Sequence, residues 1–317
     1  MKVLVTGATG FVGARLVQRL RNEDACQVLG AVRREHAVIT PDIFVCGDIG
    51  PSTDWAAGLA GVDAVVHCAA RVHVMDELAA DPLVAFRRVN VEGTLNLASQ
   101  AVAAGVRRFV FVSSIKVNGE LTVKGRPFTA DDEPHPVDPY GISKFEAEQG
   151  LMALGHESGM EIVIVRPVLV YGPGVKANFL RMMKWVCRGI PLPFGAVHNQ
   201  RSLVALDNLV DLLATCMKHP AAAGQIFIAC DGEDLSTSDL LRRLARALGS
   251  PSRLLPVPSF LLIAASVLLG RSELSQRLCG SLQADAGKVQ RVLNWTPPLS
   301  VDEALKQTAD YFLEHQA

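Results

Sequence analysis

Lys2-Val-Leu-Val-Thr-Gly-Ala-Thr-Gly-Phe-Val-Gly13, at the start of the chain, is the stretch that decides the fold. A short β-rich apolar run leads into Gly7, Gly10 and Gly13, and apolar residues suited to a helix follow over positions 14–20. Strand, glycine turn and helix in that order are what a dinucleotide-binding loop requires, because glycine lets the backbone turn tightly and approach a pyrophosphate closely. The start of the helix then offers free N–H groups and the positive end of its dipole to the phosphates. An ordinary tight turn is the alternative.

The pattern of strands and helices continues along the chain. Further apolar runs predict strands at residues 27–32, 43–46, 64–68, 108–113 and 161–166. Near-continuous apolar strands that alternate with helices predict an α/β fold, a Rossmann-like doubly wound parallel sheet. Past Tyr171-Gly-Pro-Gly174, short helices and proline-broken loops replace this alternation. We therefore predict a dinucleotide-binding domain over residues 1–171 with a return near 203–229, and a smaller, mainly helical substrate lobe over residues 172–317.

The overall composition gives no sign of several classes of partner. The net charge is −1 and no basic run stands out, which predicts neither nucleic acid nor an anionic membrane as a partner. Seven scattered cysteines, without a Cys-x-x-Cys pair or a zinc-type cluster, indicate reduced thiols and no metal site. The apolar run at the N-terminus is too short for a signal peptide, so we expect a cytoplasmic protein.

One stretch, Phe260–Leu269, is apolar throughout apart from a serine, and is the only candidate membrane segment in the sequence. It has about half of the roughly 20 residues that span a bilayer, so we expect no membrane span. A buried helix is the preferred interpretation, and an apolar surface patch is the alternative.

Tyr140-Gly-Ile-Ser-Lys144 carries the candidate chemistry. If the stretch is helical, Tyr140 and Lys144 lie one turn apart on the same face. A nearby ammonium group favours the phenolate, so we expect Lys144 to lower the pKa of Tyr140 from about 10 towards the working pH. A tyrosine tuned in this way can pass a proton to or from an alcohol oxygen. A solvated helix face with an exposed lysine is the alternative.

The residues at the end of the second strand indicate the cofactor. An acidic residue there would bind a ribose 2′-hydroxyl, but Val32 occupies this place and Arg33 and Arg34 follow. Two guanidinium groups suit a 2′-phosphate, which favours NADP(H) and leaves NAD(H) as the alternative. Asp48 either accepts a hydrogen bond from the adenine amino group or caps the next helix.

Taken together, these motifs resemble the extended short-chain dehydrogenase/reductase family, of the NAD-dependent epimerase/dehydratase type. The matching motifs run nearly the full length of the chain: Gly7/Gly10/Gly13, Gly47-Asp48, His67-Cys-Ala-Ala70, Asn90-Val-Glu-Gly-Thr94, Ser113-Ser114, Tyr140/Lys144, Arg166-Pro167, Tyr171-Gly-Pro173, Asn178, Arg201, Asp207 and Leu293-Asn-Trp-Thr-Pro297.

The resemblance implies a role for each matching residue. Tyr140 is then the general acid/base, Lys144 sets its pKa and anchors the nicotinamide ribose, and Ser114 orients the reacting oxygen. Together with the reading of the residues above, it implies cofactor contacts from Gly7, Thr9, Gly10, Phe11, Val12, Gly13, Arg33, Arg34, Asp48, Ile49, Ala69, Ala70, Asn90, Tyr140, Lys144 and Pro167. It implies substrate contacts from Ser114, Lys116, Asn178 and Arg201.

Departures from the family pattern indicate the subclass. The 4,6-dehydratases of the family carry Asp-Glu directly after the Ser/Thr, whereas this chain has Ile115 and Lys116, which argues against a dehydratase. Residues 114–119 and 201–207 look most like bacterial 4-keto-6-deoxyhexosamine nucleotide reductases of surface-polysaccharide (lipopolysaccharide O-antigen) synthesis.

We therefore predict an NADPH-dependent reductase of the 4-keto group of a nucleoside-diphosphate 4-keto-6-deoxy sugar, with a UDP-linked, N-acetylated sugar favoured. A UDP-sugar 4-epimerase with tightly bound NAD is the first alternative. The others are a reductase of a small carbonyl compound without a nucleotide, and a non-catalytic NADP-binding protein. A homodimer is common in the family, although the sequence offers no independent sign of one.

Overall fold

A parallel seven-stranded sheet forms the centre of the computed structural model, which describes residues 1–23, 26–35, 42–72, 81–268 and 278–315. The strand order is β3-β2-β1-β4-β5-β6-β9. These strands are β1 (Lys2–Thr6), β2 (Gln27–Val32), β3 (Ile43–Val45), β4 (Ala64–His67), β5 (Arg108–Val112), β6 (Glu161–Pro167) and β9 (Ile226–Ala229). Every pairing between them is parallel. The predicted Rossmann-like doubly wound sheet is confirmed.

Helices cover both faces of this sheet. They are α1 (Phe11–Arg21), α2 (Ala56–Leu59), α3 (Pro82–Arg87), α4 (Thr94–Ala103), α5 (Pro139–Ser158) and α7 (Leu206–Lys218), with a π-helical turn over Arg88–Gly93 and a 3-10 turn over Ile115–Val117. Successive β1 residues point to opposite faces, so that Val3 and Val5 pack with α1 and α7 while Leu4 packs with α4 and α5. Burial on both faces explains the continuous apolar strands of the sequence.

The C-terminal part of the chain forms a second lobe around a smaller sheet. In this sheet β8 (Arg201–Ala205) lies between β7 (Leu169–Tyr171), which is parallel to it, and β10 (Asp234–Leu235), which is antiparallel. The remaining helices are α6 (Ala177–Cys187), α8 (Thr237–Ala247), α9 (Ser259–Leu268), α10 (Gly287–Leu293) and α11 (Val301–His315). A separate apolar core joins α6, α8 and α11 to this sheet.

The chain crosses between the two lobes more than once. β7 already belongs to the smaller sheet, whereas α7 and β9 return to the main one. Phe11, at the start of α1, packs against the apolar cores of both lobes. The domain boundary at residue 171 stays a prediction, placed at the end of β7.

The prediction of a buried helix over Phe260–Leu269 is wrong for the residues that the structure describes there. α9 covers Ser259–Leu268 and contains no buried residue. Leu269 lies outside the described residues. Within the described ranges, every helix is too short or too polar to cross a bilayer.

Candidate active site

The glycine loop forms a close-fitting turn between β1 and α1. Gly7 has a φ of +66°, and its carbonyl accepts a hydrogen bond from the Gly10 N–H at 2.8 Å. A Cβ atom on Gly13 would lie 2.2 Å from the Gly7 oxygen, and one on Gly7 would lie 2.9 Å from the Ala69 nitrogen. Side chains at these positions would therefore disrupt the turn.

The first turn of α1 remains open to a ligand. Gly10 is the N-cap residue and supplies no side-chain cap. The first N–H groups of a helix lack intrahelical partners and favour an anion. Thr9 and Gly10 are exposed beside this helix end, and Phe11 and Val12 are half-buried in its first turn. The residues present thus fit the pyrophosphate of a dinucleotide.

A hydrogen-bonded histidine braces the neighbouring strand end. His67 bonds Thr6 Oγ1 through Nδ1 at 2.7 Å and Thr94 Oγ1 through Nε2 at 3.0 Å. Thr6 Oγ1 also accepts from the Ala69 N–H at 3.2 Å. Burial, together with the charge of Lys144, lowers the pKa of His67 to about 3, so the ring is neutral. His67 is therefore a structural residue that places Ala69 and Ala70 against the glycine loop.

Asn90 acts as a second brace at the same edge. Its Oδ1 accepts from the Arg71 N–H at 2.8 Å, and its Nδ2 donates to the Arg71 carbonyl and to Ser143 Oγ, both at 3.0 Å. Asn90 therefore ties the segment after β4 to α5. Its predicted contact with the cofactor stays a prediction.

The adenosine end of the predicted site contains charges of both signs. Arg33 Nε lies 2.9 Å from Asp48 Oδ1, and both side chains are largely exposed. Arg34 is exposed beside them, whereas Ile49 packs into the core on the α4 face. The sequence predicts that both arginines bind a 2′-phosphate. In the structure, Arg33 is paired with the carboxylate of Asp48.

Tyr140 and Lys144 lie on the first turns of α5, with Asp138 as the N-cap residue. Asp138 Oδ1 accepts from the Gly141 N–H at 2.6 Å, and Pro139 occupies the first helical position. This local pattern explains why the helix begins immediately before Tyr140. The predicted helical spacing of the tyrosine and the lysine is thus present.

Lys144 lies at the carboxyl ends of β4 and β5. Its Nζ donates to the Val112 carbonyl at 2.8 Å and lies 4.3 Å from the centre of the Phe111 ring. Burial lowers the pKa of Lys144 to about 7, while the charge of Glu148 acts in the opposite direction. Because Ala69 follows β4, the lysine and the glycine loop share one edge of the sheet.

The pKa of Tyr140 shifts in the direction opposite to the expectation. Burial and the charge of Asp138 together raise it to about 12, although a hydrogen bond with Ser114 acts in the opposite direction. The Lys144 ammonium group, which was expected to lower this pKa, donates its hydrogen bond to the Val112 carbonyl. A positive charge that stabilises the phenolate would have to offset the rise in pKa that burial causes.

Ser114 and Lys116 lie opposite the start of α5. Ser114 is the N-cap of the 3-10 turn, where its Oγ accepts from the Lys116 N–H at 3.3 Å. Lys116 Nζ forms ion pairs with Asp138 and, at 3.2 Å, with Glu120. The predicted substrate contact of Lys116 is untested, but in this structure the ammonium group fastens the N-terminus of α5. The sequence analysis missed this role of Asp138, although Asp-Pro before a helix is a recognisable start signal.

Two further predicted substrate residues lie in the second lobe. Asn178, near the start of α6, accepts a hydrogen bond from Arg181 at 2.8 Å. Arg201 begins β8 and donates to the Gly280 carbonyl at 3.2 Å. Their substrate contacts stay predictions.

A buried ion pair behind the site was also missed. Arg166, at the end of β6, binds Glu148 of α5 through two hydrogen bonds of 3.0 and 2.6 Å, and Asn118 through a third of 3.0 Å. Pro167, predicted to contact the cofactor, follows Arg166 and pairs with Ala229 of β9. The network fixes α5 against the sheet edge.

A doubly wound sheet with a glycine loop, and a Ser–Tyr–Lys set at the same edge, defines an NAD(P)-dependent enzyme of the extended short-chain dehydrogenase/reductase type. The sequence profile of the NAD dependent epimerase/dehydratase family matches residues 3–230. The chain belongs to this family.

The chain is similar to individual proteins of both predicted subclasses. The chain is 51% identical over 315 residues to a UDP-glucose 4-epimerase of Vibrio cholerae, covering 98% of this chain and 95% of that protein. It is 28% identical over 253 residues to a GDP-6-deoxy-D-mannose reductase of Pseudomonas aeruginosa, covering 77% of this chain and 79% of the reductase. The crystal structure of a UDP-glucuronic acid 4-epimerase from Bacillus cereus in complex with NAD shares the fold, with a TM-score of 0.80 at 22% identity and 99% coverage of both chains.

Proposed function

We propose that this protein is a UDP-sugar 4-epimerase that works with bound NAD. The observation that carries the proposal is the 51% identity to a UDP-glucose 4-epimerase, which extends over 98% of the chain. The reductase preferred from the sequence has weaker support, since the reductase relative is more distant and aligns with less of the chain. We therefore prefer the first alternative of the sequence analysis over its main prediction.

The choice of NAD has two supports. An epimerase returns the hydride that it takes, so it needs no reduced cofactor from outside. The ion pair of Arg33 with Asp48 also means that a 2′-phosphate at this place would have to compete with a carboxylate. The glycine loop and the open start of α1 would hold the pyrophosphate.

Proton transfer is the proposed task of Tyr140. Hydrogen-bonded with Ser114, the side chain would act as the phenolate to remove the proton of the sugar 4-hydroxyl, and the phenol so formed would later return the proton to the oxygen of the 4-keto sugar. The nicotinamide ring supplies the acceptor and the donor of the hydride at C4 of the sugar. When the hydride returns to the opposite face, the product differs from the substrate only in its configuration at C4, and the cofactor ends as NAD⁺, so atoms and electrons balance.

Lys144 would provide the charge that this proton transfer needs. Its pKa of about 7 reflects burial with a backbone carbonyl as partner. Ribose hydroxyls and a phenolate at the site would favour the charged lysine, and the charged lysine would in turn favour the phenolate. We propose that Asn178 and Arg201 bind the nucleotide diphosphate, since a guanidinium group suits bidentate phosphate contacts.

The direct test is interconversion of UDP-sugars without added cofactor. The purified chain is incubated with UDP-glucose, UDP-galactose and their N-acetylated counterparts, and the products are separated by chromatography. We expect epimers to form, and NAD to be released when the protein is denatured. If the protein instead consumes NADPH with a UDP-4-keto-6-deoxy sugar and does not interconvert UDP-sugars, the result would contradict the epimerase and support the predicted reductase.

A variant tests the proposed acid/base. Tyr140→Phe is expected to lower turnover by about 10²–10⁴-fold, the usual contribution of general acid–base catalysis, while NAD still binds. Tyr311→Phe, on the exposed side of α11, is the matched control and is expected to keep full turnover. Normal turnover in Tyr140→Phe would remove this residue from the mechanism.

A further inference from the structure

Helix α9 presents most of its apolar side chains to solvent and its two serines to the protein. The half-buried positions are Ser259, Leu262 and Ser266, which recur at helical spacing and form the inner face. The outer faces carry Phe260 and Leu268, which are 67% and 87% exposed. Three further apolar side chains are exposed beside them, Leu261, Ile263 and Val267. A helix on the surface of a globular domain normally has the reverse arrangement.

The segment before α9 is attached to the loop that follows α6. Leu255 N–H donates to the Leu192 carbonyl at 2.8 Å, and the Gly195 N–H donates to the Leu255 carbonyl at 2.9 Å. A parallel bridge between Ala196 and Pro258 continues this pairing up to the start of α9. The position of α9 on the second lobe is therefore set by backbone hydrogen bonds rather than by an apolar core.

The same two segments carry positive charges and no negative ones. The loop that follows α6 contains Arg188, and the segment before α9 contains Arg253, both exposed. The structure brings members of the two segments together, since Arg253 Nη1 lies 3.4 Å from the Gly189 carbonyl, next to exposed Arg188. Within the described residues, neither Arg188 nor Arg253 forms an ion pair with a carboxylate. Two exposed arginines therefore lie on the segments that attach α9 to the second lobe.

We propose that this face docks on an anionic lipid surface, with α9 lying in the plane of the interface. We call it the α9 surface, defined by Phe260, Leu261, Ile263, Val267, Leu268, Arg188 and Arg253. Its apolar side chains would enter the boundary between headgroups and acyl chains, while the two arginines meet the lipid phosphates. A second protein with an apolar groove would cover the apolar side chains of α9 but would provide no anions for Arg188 and Arg253. Charge complementarity therefore favours the lipid.

The length of α9 agrees with this orientation. A ten-residue helix is about 15 Å long, roughly half of the hydrocarbon thickness of a bilayer. It can lie along the interface but cannot span the membrane. Docking through the second lobe does not depend on which reaction the active site performs, so the proposal stands apart from the epimerase activity.

Sedimentation of the full chain with lipid vesicles tests the proposal. We expect binding to vesicles that contain phosphatidylglycerol, much weaker binding to pure phosphatidylcholine, and release at high salt. Phe260→Ser/Leu268→Ser should abolish sedimentation. Arg188→Ala/Arg253→Ala should weaken binding about fivefold for each arginine removed, from roughly 1 kcal/mol for each basic residue near an anionic surface.

Matched controls come from exposed residues elsewhere on the chain. Val84→Ser/Leu313→Ser removes two exposed apolar side chains, and Arg291→Ala/Lys306→Ala removes two exposed cations. Both controls should bind vesicles like the unchanged protein. Thermal unfolding should be alike for all variants, because none of the substituted side chains is buried.

Two results would overturn the proposal. One is the absence of binding to phosphatidylglycerol vesicles at low salt. The other is a combination of two observations: the unchanged protein does not bind vesicles, and light scattering shows a dimer that becomes a monomer in Phe260→Ser/Leu268→Ser. A second copy of the chain would then cover α9.

Discussion

The buried ion pair of Arg166 and Glu148 provides the sharpest stability prediction. The two side chains are 2% and 3% exposed and share two hydrogen bonds, and Asn118 accepts a third from the guanidinium group. Glu148→Gln keeps the size of the side chain but leaves the Arg166 charge buried without a counter-ion. Breaking such a pair typically costs about 3–5 kcal/mol.

This cost corresponds to a measurable fall in the melting temperature. With an unfolding entropy of about 2.1 cal/mol/K per residue, a chain of 317 residues should lose about 5–7 °C. Urea and thermal unfolding followed by circular dichroism measure both quantities. Glu148→Leu/Arg166→Met should recover most of the loss, because neither charge remains to be solvated.

A surface ion pair supplies the control. Lys306 and Asp310 lie one turn apart on α11 and are both exposed, so Asp310→Asn should change the unfolding free energy by about 0.5 kcal/mol or less. The reasoning is refuted if Glu148→Gln costs less than about 1 kcal/mol, or if the double variant is less stable than the single one.

Three further predictions concern the site. Gly13→Ala should abolish NAD binding because the new Cβ overlaps the glycine loop, whereas Gly50→Ala, with no atom within 4 Å of its new Cβ, should bind NAD normally in fluorescence titrations. Asp138→Asn removes a charge that raises the pKa of Tyr140, so the acidic limb of the pH–rate profile, where the base loses its proton, should move to lower pH; an unchanged profile would contradict the assignment. Arg33→Ala should weaken NADP⁺ binding about tenfold in calorimetry and leave NAD⁺ binding unchanged, since only the former offers a phosphate to the charge; an equal loss for both would show that this charge does not meet a 2′-phosphate.

Local sequence patterns are sufficient to predict the architecture of the main sheet. The apolar run before Gly7 and the helical spacing after Gly13 predicted β1 and α1 correctly. The continuous apolar strands predicted a parallel sheet covered on both faces, which the structure confirms. Tyr140 and Lys144 were placed on one helix because their relation depends only on the local backbone.

The pairing of distant charges could not be predicted in the same way. Lys116 meets Asp138 only because the 3-10 turn after β5 lies against the start of α5. Arg33 meets Asp48 only because β2 and β3 end side by side. The sequence indicates which residues carry charge, but the partner of each depends on the packing of separate elements.

The sequence by itself therefore determined the sheet, the glycine loop and the helical spacing of Tyr140 and Lys144, because these follow from periodicity and short-range geometry. The tertiary structure alone decided where Lys144 donates its hydrogen bond and which face of α9 meets the protein. An apolar helix looks the same in sequence whether it is buried or exposed. What distinguishes the two cases is whether other elements cover it, and that depends on the three-dimensional arrangement of the whole chain.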